Sequence, residues 1–457
     1  MALINPGVID KLARLIGTPK CPGLNDVQTD DFAADPRLIP GEQRTDSKAD
    51  PEAGGVARPG KRLPPDIKRV LWARSLRAFG DGYVAILLPL HLSRLGYDAF
   101  GVGVISTATL LGSALLTLAM GLVAYRIPRR RALLAAGFLM AATGLGFAGI
   151  EGFWPLLVIA FVGTLNPSGG DVSLFLPLEH TVIAHVVPDD ERTAVFARYS
   201  FVGAFFGAVG ALSVGSVDWL APVVSPSIMV TALFGLYGGI GLLTCLLYGN
   251  LSPKAEAGTD SPPTPLGPSR GIVYRLAALF SVDAFGGGLV INALLALWLT
   301  ERFGISVSTI GAIFFVTSLC SAVSQFAAVP LARRFGLVNT MVFTHLPSNL
   351  FLILTAFAPS IWIAFGLLIL RGLLSQMDVP TRSSYVMAVV RPEERPAAAS
   401  VTAVPRSLAS AVAPLLSGWL LTVSPFGWPL VLAGTLKALY DLALLRQFSA
   451  IKPPEER

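Results

Sequence analysis

Twelve apolar stretches, each about 20 residues or longer, constrain what this 457-residue chain can fold into more than any other feature. A helical run of that length crosses a hydrocarbon core roughly 30 Å thick. Lipid offers no water to satisfy peptide groups, so each run must close its backbone hydrogen bonds internally, as a helix does. The runs fall at about 70–93, 101–125, 131–150, 153–184, 194–217, 226–249, 272–300, 307–330, 337–358, 360–387, 397–422 and 427–447. The fourth and tenth are long enough to require tilt or a break. Composition agrees: 53% of residues are apolar and 14% charged, against roughly 25% charged in soluble chains. The expectation is an all-α integral membrane protein with 12 transmembrane helices. The net charge of +6 sits in loops, which suits apposition to anionic lipid and not nucleic-acid binding.

The rest of the chain is read as connections. Residues 1–66 are rich in Pro, Gly, Asp and Lys and are expected to form a disordered cytoplasmic N-terminal tail, with Val8 to Ile16 weakly amphipathic. No signal peptide is read, because the first long apolar run begins near Val70. Residues 251–270 contain Ser-Pro-Pro-Thr-Pro-Leu-Gly-Pro-Ser and read as a cytoplasmic linker. It separates a first bundle, residues 67–250, from a second, residues 271–450, and 451–457 form a short cytoplasmic tail. Lys and Arg set the orientation. With the N-terminus inside, the inner loops hold Arg126, Arg129, Arg130, Arg131, Arg192, Lys254, Arg270, Arg275, Arg333, Arg334, Arg382, Arg391 and Arg395, whereas the outer loops hold Arg94 and Arg302. Both termini are therefore expected in the cytoplasm, at the cell's inner (plasma) membrane. Cys21, Cys245 and Cys320 show no metal or disulfide spacing and read as reduced packing residues.

The two bundles repeat each other. A shift of 208 residues aligns Leu95-Gly96 with Phe303-Gly304, Ser113-Ala114 with Ser321-Ala322, and Trp154 with Trp362. It also aligns Ala124-Tyr125-Arg126 with Ala332-Arg333-Arg334. After a small slip, Asp171-Val172 meets Asp378-Val379, and Pro188–Arg192 resembles Arg391–Arg395. Two pseudo-symmetric six-helix bundles are the construction of rocking transporters, which hold substrate near the midplane between the halves.

At the loops the chain resembles the major facilitator superfamily, over about residues 68–450. Gly121-Leu-Val-Ala-Tyr-Arg-Ile-Pro-Arg-Arg-Arg131 is similar to the family's G-x-x-x-D-R-x-G-R-R-R loop, matching at Gly121, Arg126, Arg129, Arg130 and Arg131. Tyr125 and Pro128 stand where the family has Asp and Gly. The second copy keeps Arg334 and Gly336, with Arg333 at the Asp place. The resemblance implies a secondary transporter whose cytoplasmic gate lacks the family's usual aspartate latch. Arg371 is similar to the family's mid-helix arginine in helix 10. Gly203, Gly207 and Gly210 supply only part of the small-residue pattern of the family's drug–proton antiporters, without its proline.

Charge within the apolar runs marks candidate chemistry, because an ionised group at the bilayer centre costs at least about 2.5–3.5 kcal/mol and normally faces the bundle interior. Helix 1 carries Arg74, Arg77 and Asp81, the last between Gly80 and Gly82. Arg74 and Asp81 share a face, and Arg77 lies one turn before Asp81. Helix 7 supplies Asp283 beside Gly286-Gly287-Gly288, and helix 10 supplies Arg371 and Asp378 on nearly one face. In helix 4, Asn166-Pro-Ser-Gly-Gly-Asp171 should break regular hydrogen bonding at membrane depth, and Asp171 is a further candidate. The proposed substrate and proton pathway is thus Arg77, Asp81, Asp171, Asp283, Arg371 and Asp378. Each carries the alternative of a static pair holding helices together.

Arg74, Asn292 and Gln325 are secondary candidates, the amides being more often glue between helices. Arg198 and Arg406 read as gate residues touching Asp189, Glu191, Glu393 or Glu394. Glu179 and His180 read as cytoplasmic gating or solvation, Lys437 and Asp441 as a peripheral structural pair in helix 12, and His91 and His345 as interfacial or satisfied residues. Glu179, His180 and His185 lack H-E-x-x-H spacing, so no metal, cofactor or enzymatic reaction is expected. The favoured reading is proton-coupled efflux of a small organic or toxic compound by a monomer. The alternatives are proton-coupled uptake of a small anionic metabolite or sugar, and a membrane sensor or scaffold.

Overall fold

The computed structural model describes residues 63–123, 127–169, 173–256, 266–391 and 394–448. The expectations for the N-terminal tail, the middle of the linker, Arg126 and Asp171 fall outside them. Every regular element among the described residues is helical. The first six passes are α1 (Pro65–Arg94), α2 (Ala99–Val123), α3 (Arg129–Gly149), the broken pair α4 (Phe153–Val162) and α5 (Phe175–Val186), α6 (Asp189–Ser213) with the short α7 (Ser216–Trp219), and α8 (Pro226–Gly249). The second six are the broken pair α9 (Arg270–Leu289) and α10 (Asn292–Phe303), α11 (Val307–Phe335), α12 (Leu337–Ala356), the broken pair α13 (Ile361–Ser375) and α14 (Asp378–Val389), α15 (Arg395–Val423) and α16 (Trp428–Phe448). Among the described residues, nine helical stretches are long and apolar enough to cross a membrane unaided. Broken pass seven, Arg270–Phe303, is one of the nine, and the broken passes four and ten and the charged α1 complete the twelve.

Each break has a cause in the sequence. Pro167 lacks an N–H and disfavours helical geometry at Asn166, so pass four parts as expected. Its freed backbone groups find partners: Thr164 N–H donates to Thr143 Oγ1 (3.3 Å), and the Thr164 carbonyl accepts from Tyr237 Oη (2.9 Å). In pass ten, the ring of Pro380 opposes the carbonyl four residues earlier, at Gln376, and the helix parts at Gln376-Met377. The break in pass seven was not anticipated. Three consecutive glycines followed by β-branched Val290 and Ile291 lower helix propensity there. Ala293 N–H then donates across the halves to the Pro167 carbonyl (3.1 Å), so two breaks satisfy one another.

Apolar side chains face outward as well as inward. Trp154 and Trp362, paired by the 208-residue repeat, open α4 and α13 and are 73% and 75% exposed. Their position suits the aromatic belt at a membrane interface. We call the side bearing Pro65, Gly249 and Arg270 the linker side. Contact between the halves gathers on the far side. There Gly103 of α2 abuts Gly418 and the Pro414 carbonyl of α15, 2.6 Å from where a Cβ would stand. Also there, Asp218 Oδ2 accepts from Ser308 N–H at the start of α11 (2.7 Å).

The linker is fastened at both ends. Asp66 accepts from Ser252 N–H and Oγ, and Glu256 accepts from the first amides of α3, those of Arg129 and Arg130 (2.8 and 2.7 Å). Glu394 accepts from Gly267 N–H and Ser269 N–H (2.6 and 3.2 Å).

A candidate polar site within the membrane

In the first half, Arg77 and Glu179 form an ion pair between α1 and α5, and both are almost wholly buried. Glu179 also accepts from Tyr199 Oη (2.5 Å) and Tyr248 Oη (2.7 Å). The Arg77 guanidinium lies over the Phe175 ring at 4.1 Å, a cation–π contact strengthened by desolvation. Arg74 lies over Tyr199 (5.1 Å) and against Gly203. Further along α1, Asp81 is half-buried and has no ion pair within 4 Å among the described residues. Its partners are neutral: Tyr237 Oη at 3.4 Å, and Asn166. A Cβ on Gly82 would overlap the Gly207 carbonyl, so glycine there lets α1 and α6 approach beside Asp81.

The second half repeats the plan with the signs exchanged. Asp283 of α9 is buried and accepts from Lys437 Nζ (2.6 Å) and Arg382 Nη1 (2.9 Å). Arg382 also faces Asp378 (3.4 Å). In both halves an arginine–carboxylate pair joins the first pass to the inner part of the fourth. The first half puts the cation on its first pass, and the second puts the anion there. A shell lies behind Asp283: His345 Nε2 is 3.9 Å from it, while His345 Nδ1 faces Asp441 (3.0 Å), which also accepts from Asn349 Nδ2 (2.8 Å).

The structure brings together Arg77, Asp81 and Arg74 in one cluster and Asp283 and Asp378 in the other. It corrects several expectations. Arg77 pairs with Glu179 and not with Asp81. Glu179, read as a solvated gate residue, is 0% exposed, because the break in pass four resets the helix and turns it inward. Arg382, counted in a loop, is buried one turn into α14. Lys437 and Asp441 do not pair with one another; they reach Asp283 and His345 respectively. Arg371 lies in α13 and Asp378 in α14, so the break separates them, and Arg371 makes no ion pair among the described residues although its Nε is sealed. Asn292 starts α10 with its amide against Gly169, and Gln325 is half-buried in α11.

At the linker-side surface, Arg198 and Arg406 are exposed without ion pairs among the described residues, and Glu394 serves the linker instead. Gly121 lies near the end of α2; Arg129 is buried against the Ala255 carbonyl (3.3 Å); Arg130 and Arg131 are exposed. Arg334 lies over Phe335 (5.4 Å), and Gly336 turns α11 into α12 with φ of 86°. A uniform rule, that every ionisable residue inside an apolar pass is a candidate, would have included Glu179, Arg382, His345 and Lys437 from the start.

Comparison with known proteins places this geometry. Residues 70–290 and 276–457 match the profile of the Major Facilitator Superfamily. A Saccharomyces cerevisiae protein described as an uncharacterized membrane protein is 24% identical over 424 residues, covering 84% of this chain and 94% of that one. Among solved structures, a mutant of the nucleoside transporter NupG is similar with a TM-score of 0.68, 12% identity, and coverage of 84% of this chain and 100% of that chain. A bacterial homologue of the human lysosomal transporter Spinster, inward-facing and occupied, gives a TM-score of 0.66, 14% identity and coverage of 84% and 97%. These likenesses share the fold, and the profile spans both halves: the chain belongs to the Major Facilitator Superfamily.

Proposed function

We propose that this transporter works by alternating access, with residues 67–250 and 271–450 rocking about a polar pocket and proton movement driving export of a small organic or toxic compound. The observation that carries the reading is Asp81, a carboxylate within the first pass whose hydrogen-bond partners among the described residues, Tyr237 and Asn166, are neutral. Such a group can take and release a proton without breaking an ion pair, whereas the neighbouring Arg77–Glu179 pair is locked. Phe201, Phe205 and Phe326 form an aromatic surface from both halves, with Phe201 and Phe326 centroids 6.5 Å apart, which suits an organic solute. We place both termini and the linker in the cytoplasm of a plasma-membrane protein, on the loop arginines. Contacts closed on the far side then correspond to a state open to the cytoplasm.

Uptake of a small anion is the second reading, favoured by Arg371 and Arg406, which lack ion pairs among the described residues. Survival of cells expressing the protein across a panel of toxic compounds, wild type against Asp81→Asn, tests the first. The expected result is protection lost on substitution while protein level and thermal stability hold. Protection unchanged for every compound would remove Asp81 from the mechanism. Transport in inside-out and right-side-out vesicles under an imposed pH gradient separates export from uptake.

A further inference from the structure

Tyr237 of α8 touches both Asp81 and the break in pass four. It is 1% exposed, and its ring lies against α1 where Gly80 leaves room, a Cβ there standing 3.0 Å from the ring. Tyr83 Oη of α1 donates to the Leu233 carbonyl of α8 (3.0 Å) and holds the two helices in this register. The Tyr237 hydroxyl has one proton and two acceptors: the Thr164 carbonyl at 2.9 Å and Asp81 Oδ1 at 3.4 Å.

In an unbroken helix the Thr164 carbonyl would accept from Ser168 N–H. Here that N–H donates to Asn166 Oδ1 (3.1 Å), as does Ser168 Oγ (2.6 Å), and the Asn166 amide is left for Asp81. The next residue, Pro167, accepts from Ala293 N–H at the start of α10. Asp81 is thus connected through the break in pass four to the break in pass seven, in the other half.

One phenolic proton cannot serve two acceptors. When Asp81 is protonated, the acid donates to the Tyr237 Oη lone pair and the phenol donates to Thr164, so every group is satisfied. When Asp81 is ionised, the carboxylate is the stronger acceptor. The hydroxyl turns to it, and the buried Thr164 carbonyl loses its donor. The shorter contact to Thr164 is the arrangement of the protonated acid. We propose that Tyr237 is a positioning residue that couples the charge of Asp81 to the joint between the two broken passes. The step is one protonation of Asp81 from water and a rotation of the Tyr237 O–H bond.

The surrounding charges do not compete for the hydroxyl. Arg77 is met by Glu179 of α5, and Arg74 lies over Tyr199 of α6. On α8, Tyr248 donates to Glu179 and Cys245 faces the Leu134 carbonyl of α3. The α2 helix carries no ionisable side chain, and those of α10, Glu301 and Arg302, lie at its end. On α11, Arg333 and Arg334 are likewise terminal, and Cys320 packs against Gly372 of α13.

The inference rests on the Asp81 reading above. Its test combines two measurements on purified full-length protein across a pH series. Infrared difference spectra report protonation of Asp81 as the carboxyl band that Asp81→Asn removes. Hydrogen–deuterium exchange, divided by the intrinsic rate, reports protection of peptides covering residues 160–169 and 291–297. In the wild type, protection should fall by about tenfold as Asp81 ionises, the equivalent of one hydrogen bond. In Tyr237→Phe the Asp81 band should remain while protection stops following it. In Asp81→Asn protection should stay at its low-pH level throughout, because the neutral amide donates to Tyr237 Oη at every pH. Protection that still follows the band in Tyr237→Phe, or still falls with pH in Asp81→Asn, overturns the proposal and leaves Asp81 a proton site. Absence of an Asp81 band from the wild type overturns the Asp81 reading and this proposal with it. If Tyr237→Phe does not fold, Asp81→Asn decides.

Discussion

A buried arginine with a single anionic partner depends on that partner far more than an exposed one does. Arg77 is sealed at 1% exposure and its charge is met by Glu179. Glu179→Gln keeps the size but turns one accepting oxygen into an NH2 donor and leaves the guanidinium uncompensated, and removing one partner of such a pair costs about 3–5 kcal/mol. The expected outcome is a large fall in thermal stability, partly restored by adding Arg77→Met; a stability unchanged by Glu179→Gln would show the pair to be idle. At this scale the sequence was partly legible. Arg77, Asp81 and Asp283 stood out as charges within unbroken helical register. Glu179 and Arg382 did not, because each follows a break in its pass, and depth extrapolated along a continuous helix fails beyond the break. The partners of Lys437 and Asp441 lie on other helices, so spacing along one helix could not name them.

At the scale of elements, two joints decide how the halves can move. The α2–α15 joint is tight because Gly103 and Gly418 bring the backbones together on the far side. Gly103→Leu should hold that joint apart. Cysteines placed on the far side of the pocket should then react faster with a water-soluble thiol reagent, and unchanged reactivity would contradict the role assigned to the joint. The linker ends form the other joint. Hydrogen bonds from Ser269 hold the Glu394 carboxyl below its usual range, helped by the amides of Gly267 and Ser269. Burial pushes Asp66 up, but hydrogen bonds from Ser252 and Arg69 outweigh it and hold it down as well. A carboxyl depressed in the folded state adds stability above its unfolded pKa, and that contribution is lost as pH falls through the folded value. Stability should therefore decline below about pH 4, and Glu394→Gln should flatten part of that decline in a melting-temperature series. A series identical to wild type would show that this tether bears no load. The breaks in passes four and ten were legible from Pro167 and from excess length. The break in pass seven was masked by continuous hydropathy.

For the molecule as a whole, the apolar runs, the loop arginines and the 208-residue repeat were enough to infer a two-half membrane protein, since lipid forces each run into a helix. The exchange of sign between the halves was invisible without packing. It gives each half its own neutralised charge cluster, so the halves can separate on the linker side without pulling an ion pair apart. The account stands on their moving as two bodies, closing one side as the other opens. Spin-label distances test this most directly, measured between Arg131→Cys and Arg334→Cys on the linker side and between Glu151→Cys and Glu301→Cys on the far side. Between pH 7.5 and pH 5.5, with a compound found in the survival assay present, the two distances should change in opposite directions. If both stay fixed, or lengthen together, the two halves do not alternate and the account fails.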